Sequence, residues 1–136
     1  MLTYADGSAL SRALGSGTES ASWLRWSDQH ADELVTSPLA LSELKRAAQG
    51  MDPVAREKAH RISETITVVR FFDQSLKSAA MASPVLSPFG AIHLGIAVAH
   101  PEVDTIATYD PLLAKVAVIY GLGVVSPGWA DGWWDA

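Results

Sequence analysis

The stretch DTIATYDPLLAKVAVIYGLGVVSPG, residues 104–128, decides the fold class. Residues 104–110 are rich in β-branched and aromatic side chains and predict a strand. Pro111 then begins an apolar segment that ends at Gly121 and predicts a helix, and residues 122–128 predict another strand. A helix between two strands is typical of a parallel sheet covered on both faces, so this stretch predicts an α/β protein.

The rest of the chain continues the same alternation. Further strands are predicted at residues 1–6, 33–37 and 65–71. Further helices are predicted at residues 8–14, 20–31, 38–50 and 74–83, and from Pro53 and Pro88 onward, with Asp73 as the cap of the helix at 74–83. The pattern predicts a three-layer α/β/α sandwich with a central parallel sheet of about five strands. We expect a single domain over residues 1–136, with a tryptophan-rich C-terminal tail at 129–136.

Composition limits the classes of function. Hydrophobic residues make up 49% of the 136 residues, which is enough for one core. Ten Lys and Arg against fifteen Asp and Glu give a net charge of −5, which argues against a broad basic surface for duplex nucleic acid or anionic membrane. The chain has no cysteine, and it shows neither a leader pattern nor a long apolar run. We therefore expect a soluble cytoplasmic protein with no membrane partner.

Acidic residues follow the predicted strands, where parallel sheets bind ligands. Asp6 ends the first strand and Asp110 ends the fourth. Glu43 lies in the helix after the second strand, between the small residues Ala40 and Ala47, which leave room for its carboxylate. Ligands collect beyond the carboxyl ends of the strands where the strand order reverses. These three acids are the candidate site, although Asp6 and Asp110 are also suited to capping the helices that follow them.

Three segments resemble one known family, the PIN domains, and among them the VapC-type toxin ribonucleases of toxin–antitoxin pairs. YADGSALSRAL (4–14) is similar to the opening strand and helix of that family, and LVTSPLALSELKRA (34–47) is similar to the segment that carries its glutamate. IATYDPLLAKVAVIYGLGVVSPG (106–128) is similar to its closing strand, acid, helix and strand. Each motif is weak by itself, but the three occur in the family order.

The resemblance implies a metal-dependent endoribonuclease that cleaves single-stranded or loop RNA. It implies that Asp6, Glu43 and Asp110 are catalytic and hold Mg²⁺ or Mn²⁺, with Ser8 and Thr108 as hydroxyls beside the site. It also implies a small antitoxin protein that covers the cleft, and a homodimer. Carboxylate oxygens suit such hard cations, and a bound metal can activate water and stabilise charge on a phosphodiester.

Position 90 departs from the family pattern. The family has an aspartate in the context Asp-Ala-x-His, whereas this chain has GAIH at 90–93, in a helix that Ser87 and Pro88 are suited to begin. Gly90 therefore lines the site without supplying a carboxylate. Two interpretations remain: a working site with one acid fewer, or a catalytically degenerate PIN-like protein that binds a partner or RNA. His93 is interpreted as a structural residue, because a lone histidine in an apolar helix is usually structural.

Four basic residues lie on predicted helices whose starts face the proposed cleft: Arg12, Lys45, Arg46 and Lys115. They are candidates for RNA phosphate contacts, and the alternative is that they form ordinary solvated helix faces. The tail contains Trp129, Trp133 and Trp134, which are costly to leave in water. We expect these rings to pack on the body of the protein or on another chain.

Overall fold

The computed structural model describes residues 1–70, 72–82 and 84–135, and within these ranges the chain forms five strands and seven α-helices. The strands are β1 (Leu2–Ala5), β2 (Leu34–Thr36), β3 (Thr67–Val68), β4 (Val103–Ala107) and β5 (Gly123–Val125). The helices are α1 (Gly7–Leu10), α2 (Thr18–Gln29), α3 (Pro38–Gln49), α4 (Pro53–Thr65), α5 (Asp73–Ala82), α6 (Pro88–Ala99) and α7 (Pro111–Ile119). Short 3₁₀ turns lie at Ser11–Leu14, Ala31–Glu33 and Trp133–Asp135.

All five strands are parallel, in the order β3-β2-β1-β4-β5. The chain moves outward from β1 to β3 and then crosses to the other side of β1 to form β4 and β5. Tyr4 pairs with Ile106 and Ala5 with Ala107, so β1 and β4 end level with each other. The strand order reverses between these two strands, which places the ligand-binding crevice of such a sheet beyond their carboxyl ends. The predicted α/β class with a parallel sheet of about five strands is confirmed.

Both faces of the sheet are buried under helices. Tyr4 and Ile106 belong to an apolar cluster with side chains of α5, α6 and α7. Ala5 and Ala107 belong to a second cluster with side chains of α1 to α4. Neighbouring residues of one strand point to opposite faces, so the alternation of Tyr4 with Ala5 explains how one strand serves two cores. The arrangement is a three-layer sandwich.

Four helices begin with a side-chain cap followed by proline, as the sequence predicts. The capping oxygen of each accepts a hydrogen bond from a backbone N–H in the first turn, and the proline takes the first helical position, where its missing N–H is not needed. The four pairs are Ser37–Pro38, Asp52–Pro53, Ser87–Pro88 and Asp110–Pro111.

Several predicted boundaries differ from the structure. The strand predicted at 104–110 is Val103–Ala107, so Asp110 lies beyond its end, and the strand predicted at 122–128 is Gly123–Val125. The third strand, predicted at 65–71, is reduced to Thr67–Val68, because α4 continues through Thr65 and this edge strand pairs only with β2. The helix predicted at 8–14 is α1 followed by a 3₁₀ turn. Asp73 is the first residue of α5 and not its cap, since the N–H of Leu76 donates to the carbonyl of Phe72. Residues 71, 83 and 136, which end the predicted strand, helix and tail, lie outside the described residues.

The C-terminal tail packs against the body of the protein, as expected. The ring of Trp129 contacts Tyr109 edge-on at 5.1 Å and Trp133 at 4.4 Å between centroids. Trp133 Nε1 donates to Ser126 Oγ at 2.9 Å, and Trp129 Nε1 donates to Glu19 Oε2 at 2.7 Å. In the part of the chain that the structure describes, none of the helices is both long and apolar enough to cross a bilayer.

Candidate functional site

Asp6 lies directly after β1 and caps α1 with a fully bonded carboxylate. The side chain is only 3% exposed. Its Oδ1 accepts hydrogen bonds from the N–H of Ala9 at 2.9 Å and from Ser8 Oγ at 2.7 Å, and its Oδ2 accepts from Thr108 Oγ1 at 2.6 Å. Three donors from two strand ends therefore fix the orientation of this carboxylate.

Burial raises the pKa of the Asp6 carboxyl above its usual range, because ionisation inside the protein loses the solvation of the charged form. A positive charge on His93 would lower this pKa, and the hydrogen bonds from Thr108, Ala9 and Ser8 lower it as well, but together they offset the effect of burial only in part. A cation placed near this carboxylate would favour its ionised form.

Thr108 and Asp110 extend the site from β1 to β4. Thr108 is fully buried, and its Oγ1, which donates to Asp6, accepts from the backbone N–H of Asp110 at 3.0 Å. Asp110 Oδ1 caps α7 by accepting from the N–H groups of Leu112 and Leu113 at 3.0 and 3.2 Å. One hydroxyl thus links the two predicted acids across the point where the strand order reverses. The predicted capping role of both acids is confirmed.

Ser8 also links the segment that follows β1 to the segment that follows β4. Its Oγ accepts from the N–H of Tyr109 at 2.9 Å, lies 3.3 Å from Thr108 Oγ1 and donates to Asp6. Both hydroxyls that the family resemblance placed beside the site are therefore in contact with the Asp6 carboxylate.

Glu43 reaches this end of the sheet because α1 and α3 pack closely. A Cβ added at Gly7 would lie 2.6 Å from Glu43 Cβ and 2.8 Å from its Cδ, so the glutamate lies directly against the glycine that follows Asp6. The Glu43 side chain is 32% exposed. Glycine at position 7 is required by this close approach, and it places the third predicted acid at the same edge of the sheet as Asp6 and Asp110.

A buried hydrogen-bond network behind Glu43 was not predicted from the sequence. Glu43 Oε1 contacts His93 Nε2 at 2.5 Å, His93 Nδ1 contacts the Tyr4 hydroxyl at 2.7 Å, and that hydroxyl contacts Ser37 Oγ at 2.7 Å. His93 and Tyr4 are almost fully buried. The structural interpretation of His93 is therefore incomplete, because this histidine also holds a candidate catalytic acid. Its position on an apolar helix was the one signal in the sequence, since a buried imidazole requires partners.

The directions of these hydrogen bonds follow from donor counting. Ser37 Oγ already accepts from the N–H of Ala40, and burial raises the pKa of the Tyr4 hydroxyl, which therefore keeps its proton. If Ser37 donates to Tyr4, Tyr4 donates to His93 Nδ1 and His93 Nε2–H donates to Glu43, every proton has an acceptor. We assign the neutral Nε2–H form of His93 on this basis. The network then delivers one fixed N–H to the Glu43 carboxylate.

Gly90 lies in the first turn of α6, where its N–H donates to Ser87 Oγ at 3.1 Å. The residue is buried, and an added Cβ would lie 3.2 Å from Ser87 Oγ and 3.6 Å from Leu86 Cβ. The first contact is tight enough that Ser87 would have to move by a few tenths of an ångström. Packing against the cap therefore gives one physical reason for glycine at this position.

The four basic candidates occupy different environments. Arg12 is half-buried and pairs with Glu19 at 3.3 Å, and its guanidinium lies over the Tyr109 ring at 4.4 Å. Arg12 is therefore already held by contacts within the protein, on the side where the C-terminal tail packs. Lys45 and Arg46 are exposed on α3, next to Glu43, and Lys115 is exposed on α7.

The donor set suits a hard divalent cation held with few protein ligands. Within residues 1–70, 72–82 and 84–135, no three His, Asp or Glu side chains form a group that could hold a metal ion. Asp6, Glu43 and Asp110 are thus at one edge of the sheet without forming a closed three-ligand site. Mg²⁺ usually keeps several waters and binds through only one or two carboxylates alongside substrate phosphate, so a partial set of these acids is compatible with it.

Gly7→Ala is expected to displace Glu43 and destabilise the protein by about 1–3 kcal/mol, because the new methyl group overlaps Glu43 Cβ. Chemical denaturation measures the free energy of unfolding, and proton NMR of the His93 ring reports the lost contact with Glu43. Gly50→Ala is the matched control, since a Cβ there meets only the carbonyl of Ala47 at 3.9 Å. An unchanged His93 signal in Gly7→Ala would contradict the role of Gly7.

Neither the models of protein families nor the curated proteins give a match to this chain. The resemblance to the PIN domains is therefore based on the three motifs and stays a hypothesis.

Proposed function

We propose that the protein is a divalent-metal-dependent endoribonuclease that resembles the toxin members of the PIN-domain family. One observation carries the proposal: Thr108 Oγ1 bonds both the Asp6 carboxylate and the backbone of Asp110 in the crevice where the strand order reverses. Glu43 lies beside them through its contact with Gly7. Oxygen donors at this position suit Mg²⁺ or Mn²⁺ and a phosphodiester substrate.

The residues of the site have separate tasks in this proposal. One or two of the carboxylates of Asp6, Asp110 and Glu43 would hold the cation. Ser8 and Thr108 keep the Asp6 carboxylate in one orientation through their hydroxyls. A metal held there would supply activation of a water and stabilisation of the charge that grows on the phosphodiester. His93 positions Glu43 by donating from Nε2. In this proposal the protein contributes carboxylate oxygens in fixed orientations, to which the cation binds.

The partners implied by the resemblance are part of the same proposal. They are single-stranded or loop RNA, a small antitoxin protein that covers the cleft, and a second copy of this chain, all in the cytoplasm. Support for a protein partner comes from large apolar side chains that remain exposed, such as Met81 on α5 and Ile119 on α7 at 72% and 79%.

The test is cleavage of single-stranded RNA by purified protein with Mn²⁺ or Mg²⁺ and with a chelator. We expect cleavage only with metal, and a loss of at least about 10- to 100-fold in Glu43→Gln. Glu57→Gln is the matched control, because Glu57 is an exposed helical glutamate whose partner is Arg61. Equal cleavage in chelator, or equal activity of Glu43→Gln and Glu57→Gln, would overturn the proposal.

A second candidate function is a catalytically degenerate PIN-like protein that binds RNA or a partner without cleaving. Two observations favour it: position 90 supplies no carboxylate, and Glu43 is already bonded to His93. RNA binding without metal-dependent cleavage is the outcome that supports this candidate over the first.

Gly90→Asp tests whether position 90 faces the metal. The substitution gains about 1 kcal/mol from helix propensity and the first-turn dipole, but it adds the contact with Ser87 and repulsion from the other acids. We expect little gain or a loss of stability in chelator, and a larger stabilisation by Mn²⁺ than in the wild type, since a ligand of the folded state stabilises it. Thermal melts with and without Mn²⁺ measure both effects. Equal metal-induced shifts would mean that position 90 does not face the metal.

A further inference from the structure

A groove beside Glu43 carries an aromatic ring that neither the fold nor the metal site explains. The groove has a volume of about 390 Å³ and lies between α3 and the start of α6. Its lining includes Glu43, Lys45, Arg46 and Phe89. The candidate catalytic acid therefore shares one surface depression with two cations and an aromatic side chain.

Phe89 is exposed to solvent in the capped first turn of α6. The residue is 56% exposed, although it is the second residue of α6 and follows Pro88. The first turn is fixed by Ser87, which caps it through the N–H of Gly90. A ring on a fixed backbone offers a flat apolar surface whose ordering costs little on binding.

Two exposed cations near Phe89 favour a negatively charged partner. Lys45 and Arg46 are exposed, and among the described residues the ion pairs involve neither of them. The whole chain carries a net charge of −5, so this basic edge is local. An aromatic face beside two cations is the surface that binds single-stranded nucleic acid, since bases stack on the ring while cations meet the phosphates.

We propose that Phe89 stacks an unpaired base of single-stranded RNA next to the Glu43 site, with Lys45 and Arg46 meeting the adjoining phosphates. The inference rests on the proposed function and adds a subsite that holds the nucleotide beside the cleavage position. A duplex does not satisfy it, because paired bases expose no face to the ring. A protein partner in this groove is the competing occupant, and binding of RNA probes with and without bases separates the two.

Binding is measured in chelator, where no metal-dependent cleavage takes place. The probe is a short fluorescently labelled single-stranded RNA, followed by anisotropy, and a matched probe lacks the bases but keeps the phosphates. Phe89→Ala is expected to weaken binding of the normal probe by about 5- to 150-fold and to leave the abasic probe unaffected. Phe89→Trp is expected to restore the affinity. Arg46→Ala is expected to lower the salt slope of binding by about 0.7.

Phe72→Ala is the matched control, since Phe72 is another phenylalanine with 48% of its surface exposed, and it does not line this groove. Equal affinities of Phe89→Ala and wild type for the normal probe would overturn the inference, as would an equal loss with the abasic probe or a groove that binds only a protein. Metal-dependent cleavage is measured separately. Persistent cleavage without a Phe89 effect refutes the subsite alone, whereas Phe89-dependent binding without cleavage refutes the nuclease and keeps the subsite.

Discussion

Asp6→Asn is expected to abolish metal-dependent RNA cleavage, with a loss of at least about 100-fold, and at the same time to stabilise the metal-free protein at neutral pH. The loss follows because the amide removes the negative charge that would hold the cation. The gain follows because any ionisation of the buried Asp6 carboxyl loses solvation, a cost that the neutral amide does not have. Asparagine also caps helices as well as aspartate does, so α1 keeps its cap.

The dependence on pH has a definite sign. Burial raises the pKa of Asp6 in the folded protein above its value in the unfolded chain. Its contribution to the free energy of unfolding is therefore fully present below the unfolded pKa and is lost as the pH rises through the folded pKa. Above that window the ionised carboxylate destabilises the metal-free fold. Asp6→Asn is expected to remove this part of the pH dependence.

Urea denaturation in chelator across this pH range measures the effect, and cleavage is assayed with Mn²⁺. Asp52→Asn is the matched control, because Asp52 is an exposed aspartate that caps α4 through the N–H of Ala55. The control should alter neither cleavage nor the slope of stability with pH. A fall in the stability of Asp6→Asn at neutral pH would show that the hydrogen bonds from Ser8 and Thr108 outweigh the desolvation of the carboxylate.

Gly95→Ala is expected to destabilise the protein by about 3 kcal/mol or more, at the upper end of what overpacking by a single methyl group costs. Gly95 lies in α6 where that helix meets α5. A Cβ at this position would lie 2.8 Å from the backbone nitrogen of Ala79, 3.0 Å from its Cβ, and closer still to the carbonyl oxygen of Ser75. Backbone atoms cannot rotate away as a side chain does, so the two helices must separate.

Denaturation of Gly95→Ala and Gly50→Ala under the same conditions measures this difference. Gly50 is the C-cap of α3, where an added Cβ makes only an ordinary contact with the Ala47 carbonyl, and alanine there is expected to change the free energy of unfolding by less than about 1 kcal/mol. Equal stabilities of the two variants would mean that α5 and α6 pack less closely than these distances require.

The fold was predictable because its signals are local. Caps followed by proline mark the starts of α3, α4, α6 and α7, and the strand–helix–strand pattern at 104–128 indicates parallel pairing. The short β3 was not predictable, since the TITVVRF segment has the composition of a longer strand and only its edge position limits it. The requirement for glycine at position 95 depends on which helix lies opposite, and spacing along the chain does not contain that information.

Some residues of the candidate site could likewise be predicted from local sequence signals, and others could not. Asp6 and Asp110 could be found because they follow strands, and the ends of parallel strands meet at one edge of the sheet. The contact of His93 with Glu43 joins residues fifty positions apart on different helices, so no local pattern indicates it. The Tyr4 hydroxyl is hidden for the same reason, because a tyrosine in a central strand is usually interpreted as a core residue.

The hydrogen bond between Asp6 and Thr108 spans 102 positions of the chain. During synthesis β1 leaves the ribosome well before its neighbour β4, because β2, β3 and the helices α1 to α6 lie between them in the chain. Until then the side of β1 that β4 will occupy has unpaired backbone groups, and such edges are prone to wrong pairing. A nascent chain interrupted before residue 103 therefore contains Asp6 and Glu43 but lacks the β4 side of the site. A chaperone that protected the free edge of β1 would cover the surface on which β4 later pairs.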